Sequence, residues 1–92
     1  MKYYEKNVCL ASTEWNTHKV VLRKVTKYYE SNEYSTTFHV IHYTREVVGN
    51  FKTRWYEMES VIKDTLNDAA QDYMGFIQYL GDEIRRGTNA KG

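Results

Sequence analysis

The sequence has no proline, a single cysteine and five scattered glycines. With Cys9 alone, no disulfide can form within the chain, which indicates a reducing compartment such as the cytoplasm. The glycines form no phosphate-cradling loop. No apolar run exceeds four residues, whereas about 20 are needed to cross a bilayer, so the sequence predicts no membrane span. Charged residues interrupt the N-terminus, so no secretory signal is expected.

The sequence also has few residues suited to catalysis or metal binding. The soft metal ligands are Cys9, His18, His39 and His42, and their spacing matches no zinc motif. A chain of 11.0 kDa buries only about two-thirds of its unfolded surface, which leaves a thin core and little room for a deep pocket. We therefore expect a non-enzymatic protein without metal or cofactor.

Aromatic residues, by contrast, are abundant. Nine tyrosines, three phenylalanines and two tryptophans make up 15% of the chain, although the mean hydropathy is −0.74. In a polar sequence of this size, so many rings serve either as core or as contact surface. Which rings belong to which group depends on how the chain folds.

The first half predicts an antiparallel sheet. Segments 2–11, 17–29 and 34–48 are rich in Val, Ile, Tyr, Phe and Thr, and turn-like clusters separate them. Short connections favour a three-stranded meander within residues 1–50. Because two of the strands are long, a bulge that shifts the inward-facing phase is expected. Segment 17–29 indicates such a shift, since Val20 and Leu22 share one face while Val21 and Val25 share the other.

The second half changes to a helical period. Apolar residues recur at steps of three and four, and the stripe predicts one helix over 53–86 with a flexible tail at 87–92. Gly75 and Gly81 weaken this helix and mark a position where it could break. The stripe comprises Trp55, Met58, Ile62, Leu66, Ala69, Tyr73, Ile77, Leu80 and Ile84. The predicted fold class is α+β: a single domain in which a three-stranded antiparallel sheet packs against one long C-terminal helix.

The near-neutral net charge of +1 conceals a segregation of charge. Residues 1–56 carry nine basic and five acidic side chains, a net of +4. Residues 57–84 carry one basic and seven acidic side chains, a net of −6. The predicted sheet is therefore basic and the predicted helix acidic.

On the basic side, Lys19, Arg23 and Lys27 share one face of the second strand. On that face Val21 and Val25 lie between the cations, and Tyr29 follows Lys27. Neighbouring strands can add His39, Tyr43 and Arg45. Cations beside rings suit nucleic acid, because cations bind phosphates and rings stack on bases. The alternatives are a solvated face with cross-strand Lys–Glu pairs, and a protein-binding surface rich in Tyr and Arg.

On the acidic side, Asp64, Asp68 and Asp72 recur every fourth residue along the predicted helix. Like charges at this spacing destabilise a helix slightly, so the row is a candidate surface for a basic partner. The alternative is a solvated polar face that keeps the protein soluble.

The order of three strands and a helix, joined through Gly49-Asn50-Phe51-Lys52-Thr53, resembles the plant-type AP2 and integrase-arm DNA-binding domains. That resemblance covers residues 17–75 and implies a sheet that enters the major groove. It would make Arg23, Lys27 and Arg45 base readers. The strands lack the glycine, arginine and tryptophan pattern of those families.

The chain is also similar in format to small phage anti-CRISPR proteins, above all the type I-F inhibitors. The similarity lies in a short chain with one cysteine and in segregated charge, carried by residues 19–25 and 64–68. It implies a non-enzymatic inhibitor in the host cytoplasm that binds an RNA-guided surveillance complex and blocks target DNA. A small nucleic-acid-binding module is the alternative function. A homodimer that buries the uncovered sheet face is a third interpretation.

Overall fold

The computed structural model describes the backbone of residues 2–91 and the side chains of residues 2–87. The fold is α+β, with an antiparallel sheet in the order β1-β2-β3-β6, a short β4–β5 hairpin and a C-terminal helix. The elements are β1 (Tyr3–Glu14), β2 (His18–Tyr29), β3 (Tyr34–Thr44), β4 (Val47–Val48), β5 (Phe51–Lys52), β6 (Tyr56–Lys63) and α1 (Leu66–Lys91).

Three tight turns lie where polar residues and glycine interrupt the strand pattern. Between β1 and β2, the Trp15 N–H donates to the His18 carbonyl at 2.7 Å. The β2–β3 turn contains Asn32 at φ 66°, and the β4–β5 turn contains Gly49 at φ 61°. Asparagine and glycine are the residues that adopt this left-handed conformation most readily.

The main correction concerns the fourth strand. The sequence predicted three strands and a helix from residue 53, but residues 56–63 form β6. β6 pairs with β3 and places Val61 opposite Val40. This pairing satisfies the backbone groups of β3, which would otherwise form an open edge. The expected bulge occurs not in β2 but in β1 and β6, where Leu10 and Met58 are the extra residues.

The helix begins at Leu66 because Thr65 caps it. The Asp68 N–H donates to Thr65 Oγ1 at 3.2 Å, and the Ala69 N–H donates to the Thr65 carbonyl at 3.1 Å. Asp68 also lies near the positive end of the helix dipole. α1 stays continuous through Gly75 and Gly81 and ends at Lys91, so it includes residues 87–91, beyond the helix end predicted at residue 86. Residue 92 lies outside the described residues.

The core lies between α1 and one face of the sheet. At its margin, the hydroxyls of Thr13 and Tyr73 share a hydrogen bond of 2.8 Å between sheet and helix. The buried cluster consists of Val20, Leu22, Val40, Ala69, Tyr73 and Leu80. Half-buried apolar residues pack around it: Ala11, Trp15, Phe38, Phe76 and Ile77.

The molecule is elongated, with extents of 59 × 29 × 16 Å. Its radius of gyration is 16.3 Å, whereas a compact chain of this length has about 12 Å. The strand residues of the core belong to 11–22 and 38–40. The ends of β1 and β2 that carry Tyr3, Tyr4, Tyr28 and Tyr29 therefore extend beyond the part of the sheet that the helix covers.

Candidate functional site

The candidate site is the face of the sheet that points away from α1, called the open face below. Alternation along β2 and the register with β3 define it: Lys19 lies opposite Tyr43, and Arg23 lies opposite His39. Its residues on these two strands are Lys19, Val21, Arg23, Val25, Lys27, Tyr29, Ser35, Thr37, His39, Ile41 and Tyr43. The structure thus places the sequence-predicted β2 and β3 residues together.

The open face has its own apolar floor. Val21, Val25 and Ile41 are only 5%, 2% and 7% exposed, although the helix packs on the opposite face. Lys19, Arg23 and Lys27 alternate with the two valines along β2, and lysine and arginine can cover apolar surface with their aliphatic stems. The outer layer of the open face therefore consists of charged and aromatic groups.

At one end of this face, Lys19 lies among rings. Its Nζ is 5.0 Å from the ring centroid of Tyr43 and 4.9 Å from that of Trp55. Arg45 Cζ is 4.1 Å from the Trp55 ring, and Arg45 Nε donates to the Asn16 carbonyl at 2.8 Å. Trp55, expected on a helix, instead lies in the link before β6. These cation–π contacts orient two cations and one large ring together.

At the other end, Lys27 lies over the ring of Tyr3. The distance from Lys27 Nζ to that ring centroid is 5.1 Å. Tyr3 lies opposite Tyr29 in the register, and their ring centroids are 5.8 Å apart. Cations and rings thus occur at both ends of the open face, with Arg23 between them.

The β2 cations have no close carboxylate partner. Among residues 2–87, three Lys or Arg side chains and one histidine lie within 4.0 Å of a carboxylate, and none of them is Lys19, Arg23 or Lys27. Glu14 and Glu5 lie opposite Lys19 and Lys27 in the register but do not approach them within that distance. The expected alternative of cross-strand Lys–Glu pairs is therefore not formed, and these positive charges stay available to an external anion.

His39 adds a neutral polar group to this surface. Burial lowers its pKa; Glu5 opposes the shift, while Lys27 and Arg23 reinforce it. Its Nε2 lies 3.1 Å from Thr37 Oγ1. At neutral pH His39 therefore contributes hydrogen-bonding capacity rather than charge.

The acidic row of Asp64, Asp68 and Asp72 is less available to a partner than the sequence predicted. Asp64 precedes the helix, so the three aspartates do not share one helical line. The backbone N–H of Asp68, not its carboxylate, donates to the Thr65 cap, whereas Asp72 Oδ2 lies 3.3 Å from Lys63 Nζ. Two further helix carboxylates pair within the helix: Asp82 with Arg85 and Glu83 with Arg86. Most helix carboxylates thus have contacts inside the chain, and the role of the row toward a partner stays a prediction.

A pair of histidines lies on the helix side of the sheet. His18 Nδ1 and His42 Nε2 are 3.0 Å apart, and His42 Nδ1 is 3.9 Å from Glu59 Oε1. Burial and the neighbouring His18 lower the pKa of His42, while Glu59 raises it. An N–H···N hydrogen bond needs one unprotonated nitrogen, so the contact requires an acceptor nitrogen on one of the two rings. Within the described residues, no group of three or more His, Cys, Asp or Glu is arranged to hold a metal ion.

Sequence reasoning missed two members of the open face, Tyr3 and Trp55. Tyr3 follows from the hairpin register only when the extra residue Leu10 is counted. The position of Trp55 depends on the chain turning after β5 and returning beside β3 as β6. No local pattern in residues 53–56 contains that information.

The chain matches no protein-family model, no curated protein and no solved structure. Among residues 2–91, no helix has both the length and the apolar character needed to cross a membrane.

Proposed function

We propose that this protein is a non-catalytic module that binds single-stranded nucleic acid on its open face. The observation that carries the proposal is the row of Lys19, Arg23 and Lys27, which has no carboxylate partner within 4.0 Å among the described side chains, 2–87, and ends in aromatic rings. Each cation of the row follows the previous one by four residues, about 13 Å along an extended strand. A row of this kind can bind several phosphates of one nucleic-acid strand that lies along β2.

The rings favour a single strand over a duplex. Tyr43 and Trp55 lie at one end of the row, and Tyr3 and Tyr29 at the other. In a duplex the bases are stacked on each other and inaccessible to such rings, whereas unpaired bases stack on aromatic side chains. A broad sheet face is also the platform on which small RNA-binding domains present their rings.

A second candidate is the phage-type inhibitor of an RNA-guided surveillance complex. The same open face supports it, because exposed RNA on such a complex is single-stranded nucleic acid held by protein. The acidic row lends it less support, since Asp72 pairs with Lys63 and Asp64 precedes the helix that carries Asp68 and Asp72. Both candidates operate in the cytoplasm, as the lone cysteine predicts.

Fluorescence anisotropy with a labelled RNA of about twelve nucleotides tests the first proposal, since site sizes of about 4–16 nucleotides are typical of single-strand binders. Titrations between about 50 and 200 mM salt should show the binding constant falling as salt rises. A plot of its logarithm against the logarithm of the salt concentration should have a slope near −2, because three cations each contribute about −0.7. The variant that removes the row should lose both affinity and slope: Lys19→Gln, Arg23→Gln and Lys27→Gln.

A control variant matches the loss of charge on other surfaces. It combines Lys6→Gln, Lys24→Gln and Lys52→Gln, none of which lies on the open face. Equal losses of RNA affinity in the two variants would mean that binding is non-specific charge attraction, which would contradict a defined site. Absence of binding by the wild type, or tighter binding to a duplex of the same sequence, would also contradict the proposal. Binding to a surveillance complex without binding to free RNA would instead favour the inhibitor.

A further inference from the structure

A groove lies at the far end of β1 and β2, beyond the part of the sheet that α1 covers. Its volume is about 350 Å³, and it is lined by Lys2, Tyr3, Tyr4, Tyr28, Tyr29 and Glu30. This volume is at the lower end of the range for small-molecule sites. It suits a ligand of nucleotide size rather than a folded partner.

Two cross-strand ring pairs line the groove, one from each face of the β1–β2 end. Tyr4 and Tyr28 are stacked, with centroids 4.9 Å apart and an interplanar angle of 17°. Tyr3 and Tyr29 are tilted by 48° at 5.8 Å. Tyr3 and Tyr4 remain 50% and 66% exposed, so the pairs leave ring surface open to solvent. Flat, exposed ring faces that a cross-strand neighbour holds in place are suited to stacking with a planar ligand.

The charges around the groove fit a nucleotide. Lys27 Nζ lies 5.1 Å from the Tyr3 ring centroid, and Lys2 lines the groove. Both cations lie within reach of a phosphate attached to a base stacked there. The carboxylate of Glu30 can accept hydrogen bonds from a base amino group or a ribose hydroxyl. One site therefore offers ring faces, cations and an acceptor.

The groove is continuous with the open face, because Tyr3 and Tyr29 belong to both. We infer that the groove is a nucleobase subsite that holds an end of the single strand lying along Lys19, Arg23 and Lys27. This inference rests on the proposed function. It adds where one end of the bound strand lies, which is the groove, and what the groove holds there, which is a nucleobase. Proline-rich peptides also bind aromatic grooves, but the adjacent cations favour a phosphate-bearing ligand.

Photo-crosslinking locates the occupant in the wild-type protein. An RNA of about twelve nucleotides that carries 4-thiouridine at one end is irradiated in complex, and the crosslinked peptides are identified by mass spectrometry. We expect crosslinks from one end of the RNA to residues 2–4 or 28–30. Crosslinks confined to residues near Tyr43 and Trp55, with 4-thiouridine at either end, would overturn the inference.

Variants provide the second measurement. Tyr3→Ser combined with Tyr29→Ser should weaken RNA binding about tenfold, which corresponds to about 1.4 kcal/mol. The matching double phenylalanine variant retains the rings and should bind as the wild type does. Tyr79→Ser is the control, because Tyr79 is a comparably exposed tyrosine, at 63%, on the helix. Circular dichroism melting shows whether each variant is folded.

The two proposals fail in different ways. If wild-type protein binds RNA and the double serine variant binds it equally well, the subsite is overturned while the open-face function stands. If wild-type protein binds no RNA, both are overturned. If the double serine variant loses binding to a proline-rich peptide but keeps its affinity for RNA, the groove is a peptide site and the inference is wrong.

Discussion

Two identical valine substitutions test how differently the two faces of the sheet are covered. Val40 is fully buried in the cluster against α1, and Val25 is 2% exposed on the open face. By exposure alone, Val40→Ala and Val25→Ala should destabilise the protein equally. They differ in what covers them. Val40 belongs to the cluster that includes helix residues, whereas Val25 lies on the face away from α1, between Arg23 and Lys27 along β2 and opposite Asn7 and Thr37 on the neighbouring strands.

Each substitution removes about two buried methylene equivalents, worth about 1.6 kcal/mol in transfer free energy. At Val40 the packed helix relaxes only partly, and the cavity raises the loss of unfolding free energy to about 2–3 kcal/mol. At Val25 flexible stems can move into the vacated space, so no cavity term is added and the expected loss stays near the transfer value of about 1.6 kcal/mol. At about 4–8 °C per kcal/mol, Val40→Ala should lower the Tm by roughly one and a half times as much as Val25→Ala.

Urea unfolding followed by circular dichroism measures both losses, and Val48→Ala is the control because Val48 is 72% exposed. Equal losses at Val40 and Val25 would refute this reasoning. They would mean that a packed layer, such as a second copy of the chain, covers the open face. A dependence of the Val25→Ala midpoint on protein concentration would then identify that copy.

The remaining predictions concern the helix cap and the histidine pair. Thr65→Ala should cost about 1 kcal/mol of unfolding free energy, because the Asp68 N–H loses its acceptor, while Thr65→Ser should retain it; urea midpoints of the three proteins decide this. Because burial lowers the pKa of His42, the unfolded chain binds more protons, so stability should fall as the pH drops from about 7.5 to 5. His42→Gln should flatten that pH profile, and an unchanged slope would mean that other groups, such as the similarly shifted His39, cause it.

The first half of the chain was largely predictable because its signals are local. Alternation along β2 indicated that Val20 and Leu22 share one face and Val21 and Val25 the other, and all four are buried. Turn residues located the β2–β3 connection, where the backbone is left-handed at Asn32. Cations and rings were also placed on one strand face by period alone.

Residues 53–65 show where local signals are ambiguous. Trp55, Met58 and Ile62 fit a helical period, yet Met58 and Ile62 are each 60% exposed and β6 includes both. The same stretch is rich in β-branched and aromatic residues, which favour a strand. The true start signal of the helix is Thr65 with Asp68 three residues later, the spacing of a capping hydroxyl and an acidic side chain in the first turn. That local signal outweighs the apolar stripe that precedes it.

The sequence by itself determined the α+β composition, the strand alternation and the apolar face of the C-terminal helix, because each depends on neighbours within a few residues. Only the tertiary structure decided that β6 completes the sheet, that Trp55 joins Lys19 and Arg45, and that Asp72 is paired with Lys63. Most of these contacts join residues distant in the chain, and their free energy depends on burial and pairing that no local pattern specifies.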